Sequence, residues 1–272
     1  NTFVIKRFNM RSIYLLTLLL LISCEQQDSK SIVKKEIKYQ LDSLEMNGYL
    51  VYDESIKEKR PAILVVHEWW GQNDYPRKRA EMLAELGYVA FAIDMYGGGK
   101  VANHPKDAGA FSSSVMKNFD FSKERFIKAM DVVKELNFVD KNNIAAIGYC
   151  FGGGVVLNMA RLNVDLKGVV SFHGSLGKAV NFTGPTSTKI LVCNGADDRM
   201  VGGDAILKFK QEMESIKADY ELINYPNSTH GFTNPEATIN AEKFQIGLAY
   251  NKEADIESWK KMQSFFNKIF KE

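Results

Sequence analysis

The sequence predicts an α/β protein built on a mostly parallel, twisted sheet with helices on both faces. From Pro61 to the C-terminus, apolar runs of strand length alternate with segments of helical period, which is typical of strand–helix–strand units. These runs are continuously apolar, as expected for strands that are buried on both faces. Because 45% of the 272 residues are apolar and 25% are charged, one large globular domain accounts for the chain.

The predicted elements begin with an antiparallel strand pair and continue as alternating parallel strands and helices. The pair is predicted at Ile37–Gln40 and Gly48–Tyr52, and Gly87 ends the first helix because glycine adopts the left-handed conformation found there. The predicted parallel strands are Ala62–His67, Tyr88–Asp94, Ile144–Tyr149, Gly168–His173, Lys189–Asn194 and Tyr220–Tyr225. The predicted helices are Tyr75–Leu86, Lys123–Leu136, Gly152–Leu162, Asp204–Lys217 and Asp255–Phe270.

Two stretches of mixed polarity, Gly97–Phe119 and Gly231–Asn251, each follow a strand and predict loops with short helices. Since loops at the carboxyl ends of parallel strands border the ligand crevice, we expect them to form its walls. The formal charge is only +2, from 35 basic and 33 acidic residues. Such a charge argues against recruitment of nucleic acid, or of a membrane by charge alone, so we expect a small-molecule partner.

Residues 1–24 have the features of a lipoprotein-type signal peptide. Basic residues precede the apolar run Ile13–Ile22, and Cys24 then follows a serine, as in a bacterial lipobox. We expect Cys24 to be lipidated, with a polar tether over residues 25–35 and one folded domain over residues 36–272. This predicts a membrane-anchored lipoprotein on the periplasmic side of the bacterial cell envelope. A signal peptide cleaved without lipidation, or a short helix with an incidental cysteine, is the alternative.

The strongest chemical signal is Gly148-Tyr149-Cys150-Phe151-Gly152-Gly153, which lies between a predicted strand and a predicted helix. It has the form of a nucleophile elbow with cysteine at its centre. So tight a turn requires small flanking residues, which Gly148 and Gly152 supply. The helix N-terminus favours a thiolate, and the Phe151 amide would serve as an oxyanion donor. A buried cysteine in a glycine-rich packing turn is the alternative.

An acid and a base follow later strands in the order expected of a catalytic triad. Asp197 and Asp198 come after the strand Lys189–Asn194, and His230 comes after the last predicted strand. Nucleophile, acid and base therefore each lie at the carboxyl end of a strand, in the chain order of this triad. The residues alone leave open which of the two aspartates is the acid.

These segments resemble the dienelactone hydrolase family of the α/β-hydrolase superfamily from about Pro61 to the C-terminus. The resemblance rests on the cysteine elbow, on His67–Gly71, on Gly195–Val201 and on His230-Gly231-Phe232. It implies an α/β-hydrolase fold, and it implies that the acid is Asp198, three residues after the glycine of its motif.

The resemblance also implies roles for two residues that follow the first parallel strand. Glu68 would meet the resting Cys150 and help to deprotonate it when substrate binds. The amide of Trp69 would be the second oxyanion donor, opposite that of Phe151. Without the family, Glu68 would be interpreted as an ordinary surface carboxylate.

The segments that recognise substrate depart from the family. Where the family has arginines that hold the substrate carboxylate, this chain has Gly97–Gly99 and Thr233-Asn234. Neither glycine nor asparagine replaces a bidentate guanidinium, so we expect dienelactone itself to be a poor substrate. An aromatic pocket is predicted instead, with ordinary core packing as the alternative. Its predicted residues are Trp69, Trp70, Tyr96 and Phe232, with His173 beside them.

The sequence therefore predicts a hydrolase that cleaves a carboxylic ester or lactone through Cys150, with no metal or organic cofactor. His67-Glu68 does not begin a zinc motif, because Gly71 stands where the second histidine would be. The main alternative is a catalytically silent hydrolase-fold lipoprotein that binds a ligand or partner. A thiol sensor is the other alternative, although no resolving cysteine lies near Cys150.

Overall fold

The computed structural model describes residue 2, residues 30–181 and residues 184–271. Within these residues the chain forms an eight-stranded sheet and seven helices. The strands are β1 (Ile32–Leu41), β2 (Leu44–Asp53), β3 (Arg60–Val66), β4 (Val89–Ile93), β5 (Val139–Tyr149), β6 (Gly168–Phe172), β7 (Lys189–Gly195) and β8 (Tyr220–Tyr225). The helices are α1 (Asp74–Glu85), α2 (Pro105–Lys117), α3 (Phe119–Lys134), α4 (Phe151–Arg161), α5 (Gly203–Ser215), α6 (Ala237–Phe244) and α7 (Lys252–Ile269).

The strand order across the sheet is β1-β2-β4-β3-β5-β6-β7-β8. Strands β1 and β2 form an antiparallel hairpin, and β2 is antiparallel to β4. All neighbouring pairs from β4 to β8 are parallel. The chain winds outward in opposite directions from β3, so a crevice opens at the carboxyl ends of β3 and β5.

Alternate residues of the central strands pack into two separate cores. In β3, Leu64 and Val66 join the core formed with α3, α4 and α5, whereas Ile63 and Val65 join the core formed with α1 and α7. This alternation is the two-residue period of a strand. The prediction of a mostly parallel sheet with helices on both faces is therefore confirmed.

The folded domain begins earlier than the sequence indicated. Strand β1 starts at Ile32 and pairs with β2 along its whole length, so residues 32–35 of the predicted tether belong to the sheet. Lys34 and Lys35 are exposed there, as is common on an edge strand, and their charge hid the strand pattern. Cys24 and the predicted signal peptide lie outside the described residues. No helix in the part of the chain described here is long and apolar enough to cross a membrane.

Each of the two predicted insertions contains one helix. Helix α2 occupies 13 residues of the first insertion, with Pro105 as its first residue and the His104 side chain accepting a hydrogen bond from the Lys106 amide. Helix α6 occupies eight residues of the second insertion. Both insertions follow strands at the carboxyl edge of the sheet, and the second contributes to the pocket described below.

Candidate active site

Cys150 lies in the predicted tight turn between β5 and α4. Its backbone angles are φ 52° and ψ −114°, a conformation that non-glycine residues rarely adopt. A Cβ atom added to Gly148 would lie 2.1 Å from the Gly152 carbonyl oxygen, and one added to Gly152 would lie 2.3 Å from the Val66 carbonyl oxygen. Glycine at both positions therefore allows the helix to start directly against β3 and β5.

His230 lies between Cys150 and Asp198. Its Nε2 is 3.0 Å from Cys150 Sγ, and its Nδ1 is 2.8 Å from Asp198 Oδ2. The Asp198 side chain is buried, and its Oδ1 accepts a hydrogen bond of 2.8 Å from the Met200 amide. Asp197 is exposed, whereas Asp198 is the aspartate that contacts His230, so the geometry selects Asp198 of the two. The three residues have the arrangement of a nucleophile, a base and an orienting acid.

The electrostatics of this triad favour a charged imidazole. Burial by itself would lower the pKa of His230, but the charge of Cys150 and the hydrogen bond to Asp198 raise it well above its usual value. A buried imidazolium is stable only beside negative charge, and the Asp198 carboxylate lies 2.8 Å from His230 Nδ1.

Glu68 follows β3 and lies at the same end of the sheet. Its Oε2 accepts a hydrogen bond of 2.6 Å from Asn234 Nδ2. Burial raises the pKa of Glu68 to about 7, although the Asn234 hydrogen bond and the charge of His230 oppose this rise. Cys150 Sγ lies within hydrogen-bond distance of His230 Nε2, and Glu68 and Cys150 both line the pocket. The contact between Glu68 and a resting Cys150 that the family implies stays a prediction.

His67 supports the backbone of the Glu68 segment. The Met95 amide donates to His67 Nε2 at 3.3 Å, so the proton lies on Nδ1, which donates to the Glu68 carbonyl oxygen at 2.6 Å. His67 is fully buried, and burial lowers its pKa, which keeps the ring neutral. His67 therefore has a structural role at the end of β3. Among the described residues, no group of three or more His, Cys, Asp or Glu side chains could hold a metal ion.

A pocket of about 420 Å³, measured with its open mouth, lies beside Cys150. Its described walls are mainly aromatic and aliphatic, and they include neither arginine nor lysine. Lys100 and Arg199 are exposed and lie outside this lining. The lining residues are Glu68, Trp69, Trp70, Cys150, Met200, His230, Asn234, Ala237 and Leu248.

Three predicted pocket residues lie outside that lining, and the prediction is corrected for each. Tyr96 is buried behind the pocket, where its hydroxyl donates to the Trp69 carbonyl oxygen at 2.9 Å. Phe232 is fully buried and packs against Tyr225 and His173. His173 is also fully buried, beneath the elbow. All three side chains point into the core behind the loops that carry the site, a direction that sequence position alone does not reveal.

The other predicted pocket residues, Trp69 and Trp70, do line the pocket, and their ring centroids are 5.0 Å apart in an edge contact.

Phe151 is the first residue of α4, so its amide has no acceptor within the helix. Three further lining residues, Met200, Ala237 and Leu248, were not predicted individually. Ala237 and Leu248 lie in the insertion at 231–251 that was expected to border the crevice. Met200 lies in the turn that carries Asp198, two residues after it.

A sequence model of the dienelactone hydrolase family matches residues 46–270. The chain belongs to the dienelactone hydrolase family. The match includes the elbow, the acid and the histidine segment, so this family member is a hydrolase and the predicted resemblance is confirmed.

Individual relatives agree with this dienelactone hydrolase assignment. A putative carboxymethylenebutenolidase of Saccharolobus solfataricus is 25% identical over 280 residues, covering 88% of this chain and 100% of that protein. The crystal structure of a dienelactone hydrolase-like promiscuous phosphotriesterase from metagenomic libraries has a TM-score of 0.82 at 30% identity, covering 88% of this chain and 99% of the other. A putative dienelactone hydrolase of Klebsiella pneumoniae, with a TM-score of 0.74 at 21% identity over 87% of this chain and 99% of that one, shares the fold. The α/β-hydrolase fold is thereby confirmed.

Proposed function

We propose that this dienelactone hydrolase family member cleaves uncharged carboxylic esters or lactones by covalent catalysis through Cys150. The observation that carries the proposal is the unbroken contact from Asp198 through His230 to the Cys150 sulfur at the wall of an apolar pocket. A nucleophile, its base and the acid that orients the base are the minimum set for acyl transfer.

In the proposed first step, the Cys150 thiolate attacks the carbonyl carbon and a carbon–sulfur bond forms. The carbonyl electron pair moves to oxygen, and the amides of Phe151 and Trp69 donate hydrogen bonds to that oxyanion. When the intermediate collapses, the carbon–oxygen bond to the alcohol breaks, and the leaving oxygen takes the proton from His230 Nε2. The product is a thioester on Cys150.

In the second step, His230 takes a proton from water and the hydroxide attacks the thioester carbonyl. The acid is released, the sulfur leaves as thiolate, and the imidazolium is restored. Asp198 stabilises the charged imidazole in both steps. By family resemblance, Glu68 would take the thiol proton whenever Cys150 is protonated and turned away from His230.

The preference for uncharged substrates follows from the pocket wall. Its described residues include no arginine or lysine to pair with a substrate carboxylate, and above neutral pH the Glu68 carboxylate would repel one. Trp69, Trp70 and Leu248 offer apolar surface instead. The relatives named putative carboxymethylenebutenolidases support a lactone as one substrate class.

The cellular location is proposed from the sequence alone. The lipobox-like segment ending at Cys24 supports a lipid-anchored protein on the periplasmic side of the cell envelope. Wild-type protein should sediment with membranes and be released by detergent, whereas Cys24→Ala should remain in the aqueous phase. Recovery of the wild-type protein in the aqueous phase after membrane sedimentation would contradict the anchor.

The function is tested with a panel of chromogenic esters and lactones. Cys150→Ala should lower turnover by at least about 10³-fold, because no other group can form the thioester. Cys193→Ala is the matched control: this thiol is fully buried and lies outside the pocket, so turnover should stay within about twofold. Wild-type turnover by Cys150→Ala would refute the nucleophile. Wild-type protein that binds panel compounds without cleaving them would support the silent-binding alternative.

A further inference from the structure

A buried chain of polar groups lies behind the elbow and joins it to the loop that carries His230. The chain runs from the Cys150 amide to the imidazole of His173, then to the hydroxyls of Thr233 and Tyr75. His173 is 0% exposed and Thr233 is 1% exposed. Neither residue lines the pocket, and the proposed acyl transfer uses neither of them.

The hydrogen bonds determine which nitrogen of His173 carries the proton. The Cys150 amide donates to the Phe172 carbonyl oxygen at 3.0 Å and shares its hydrogen with His173 Nδ1 at 3.2 Å, so Nδ1 is an acceptor and carries no proton. Burial, then the positive charges of His230 and Arg79, lower the pKa of His173 well below its usual value. The ring is therefore neutral, and its proton lies on Nε2, which donates to Thr233 Oγ1 at 2.7 Å.

Thr233 is held through its backbone as well as through its hydroxyl. Arg79 Nη2 donates to the Thr233 carbonyl oxygen at 2.5 Å and to Asp255 Oδ1 at 2.6 Å. The Tyr75 hydroxyl lies 2.5 Å from Thr233 Oγ1. Residues of α1 and α7 thus fix the position of the loop at Thr233. Buried hydrogen-bond networks of this kind specify a single geometry when every polar group in them has a partner.

This buried chain of polar groups, called the link below, connects Cys150 to the loop that carries His230 without passing through the pocket. Thr233 follows His230 by three residues, and the amide at the other end belongs to Cys150, whose strained φ of 52° needs support from its surroundings. We propose that His173 and Thr233 are positioning residues that hold Cys150 Sγ against His230 Nε2 at the observed 3.0 Å. The proposal rests on the proposed function of Cys150 and His230.

The test changes the link and leaves the charges around it in place. The variants alter none of the charged groups that act on His173 and His230. These groups are Cys150, Asp198, Glu68 and Arg79. Thr233→Val removes the hydroxyl at constant shape, Thr233→Ser restores it, and Ser122→Ala removes a buried hydroxyl bond between α2 and α3 as the control.

Two readouts are taken on the full-length protein: ester turnover, and the pH profile of iodoacetamide alkylation of Cys150 followed by peptide mass spectrometry. Thr233→Val should lower kcat about 10- to 100-fold with KM within about threefold, because orientation is lost while binding is kept. It should also move alkylation to higher pH, since a displaced imidazolium stabilises the thiolate less. Thr233→Ser and Ser122→Ala should behave like wild type.

A second variant, His173→Asn, keeps an acceptor for the Cys150 amide but cannot reach Thr233. Asparagine also tolerates the φ of 41° at this position. It should show the same losses, and the double variant with Thr233→Val should be within about twofold of the single variants, because both remove one link. If Thr233→Val does not fold, this variant decides the question.

Folded variants with wild-type kcat and a wild-type alkylation profile would overturn the proposal. So would losses that simply follow a lowered Tm and that Ser122→Ala reproduces. If the wild-type protein cleaves no ester, the proposed function fails by itself, and the alkylation arm still decides: a shifted profile in Thr233→Val supports the positioning role, and an unchanged one refutes it.

Discussion

Asn234 Nδ2 lies 2.6 Å from Glu68 Oε2 in the wall of the pocket, although 166 positions separate the two residues in the chain. An amide can donate to a carboxyl group in either charge state, but it cannot neutralise a carboxylate as a guanidinium does. Burial raises the pKa of Glu68 to about 7, and the Asn234 hydrogen bond opposes that rise only in part. The burial of Glu68 therefore makes the charge of the pocket depend on pH near neutrality.

Glu68→Gln should stabilise the protein at alkaline pH. The folded protein holds the Glu68 proton up to about pH 7, whereas the unfolded chain releases it near 4.5. Unfolding releases a proton between these values, so this group lowers the free energy of unfolding as pH rises through that window. The variant should gain up to about 3 kcal/mol over wild type at pH 8 and almost nothing at pH 4, by urea unfolding. The exposed Glu242→Gln is the control, and a pH-independent difference for Glu68→Gln would contradict the assignment.

Uncharged esters should be better substrates than their carboxylate-bearing counterparts. The comparison uses pairs that differ only in a free carboxylate or its methyl ester, remote from the scissile bond. We expect kcat/KM to favour the uncharged member by about tenfold or more at pH 8, because a bidentate cation is missing and Glu68 is charged. The ratio of the two kcat/KM values should be smaller at pH 6, because Glu68 is then mostly protonated. Preference for the anion at pH 8 would mean that Lys100 or Arg199 reaches the substrate.

Asp198→Asn and Asp197→Asn should differ sharply in activity. Asp198 accepts a hydrogen bond from His230 Nδ1 at 2.8 Å, and an amide there would favour the wrong tautomer. Its loss should lower kcat about 10²- to 10⁴-fold. The neighbouring Asp197 is exposed, so its variant should stay within about twofold of wild type in the same assay. Equal losses would show that the turn, and not the acid, limits turnover.

His230→Ala and Glu68→Gln should impair different steps. In the proposed mechanism His230 acts in both steps, so its loss should leave acylation slow and deacylation slower, and the thioester should be seen to accumulate by intact mass spectrometry. Glu68→Gln should slow the acylation burst about 10- to 1,000-fold and leave hydrolysis of a preformed thioester unchanged. Burst kinetics with a chromogenic ester separate these steps. A wild-type burst in Glu68→Gln would leave the triad intact and remove the activating role of Glu68.

Two glycines of α4 should respond oppositely to alanine. A Cβ at Gly152 would meet the Val66 carbonyl oxygen at 2.3 Å, whereas one at Gly154 would find its nearest atom at 3.4 Å. Gly152→Ala should therefore cost about 2 kcal/mol or more of unfolding free energy. Gly154→Ala should be neutral or stabilising by up to about 1 kcal/mol, because alanine is the better helix former. Thermal unfolding compares them, and similar Tm values would contradict the close approach of α4 to β3.

The sequence alone determined the α/β class, the glycine-flanked turn at Cys150, and the placing of Cys150, Asp198 and His230 after successive strands. These features are local: strand and helix periods, two small residues around Cys150, and polar residues directly after apolar strands. The same reasoning missed the start of β1, because the charges of Lys34 and Lys35 interrupt the apolar pattern of a strand whose pairing with β2 supplies its stability.

The tertiary structure decided what depends on side-chain direction and on contacts between distant segments. It brought His230 to Cys150 across 80 positions, and it turned His173 away from the pocket into the link with Thr233. Position at a strand end does not specify which way a side chain points. Burial then raised the pKa of Glu68. Both the loss of water around this carboxyl group and its hydrogen bond from Asn234 arise only when the segment after β3 packs against the segment after β8.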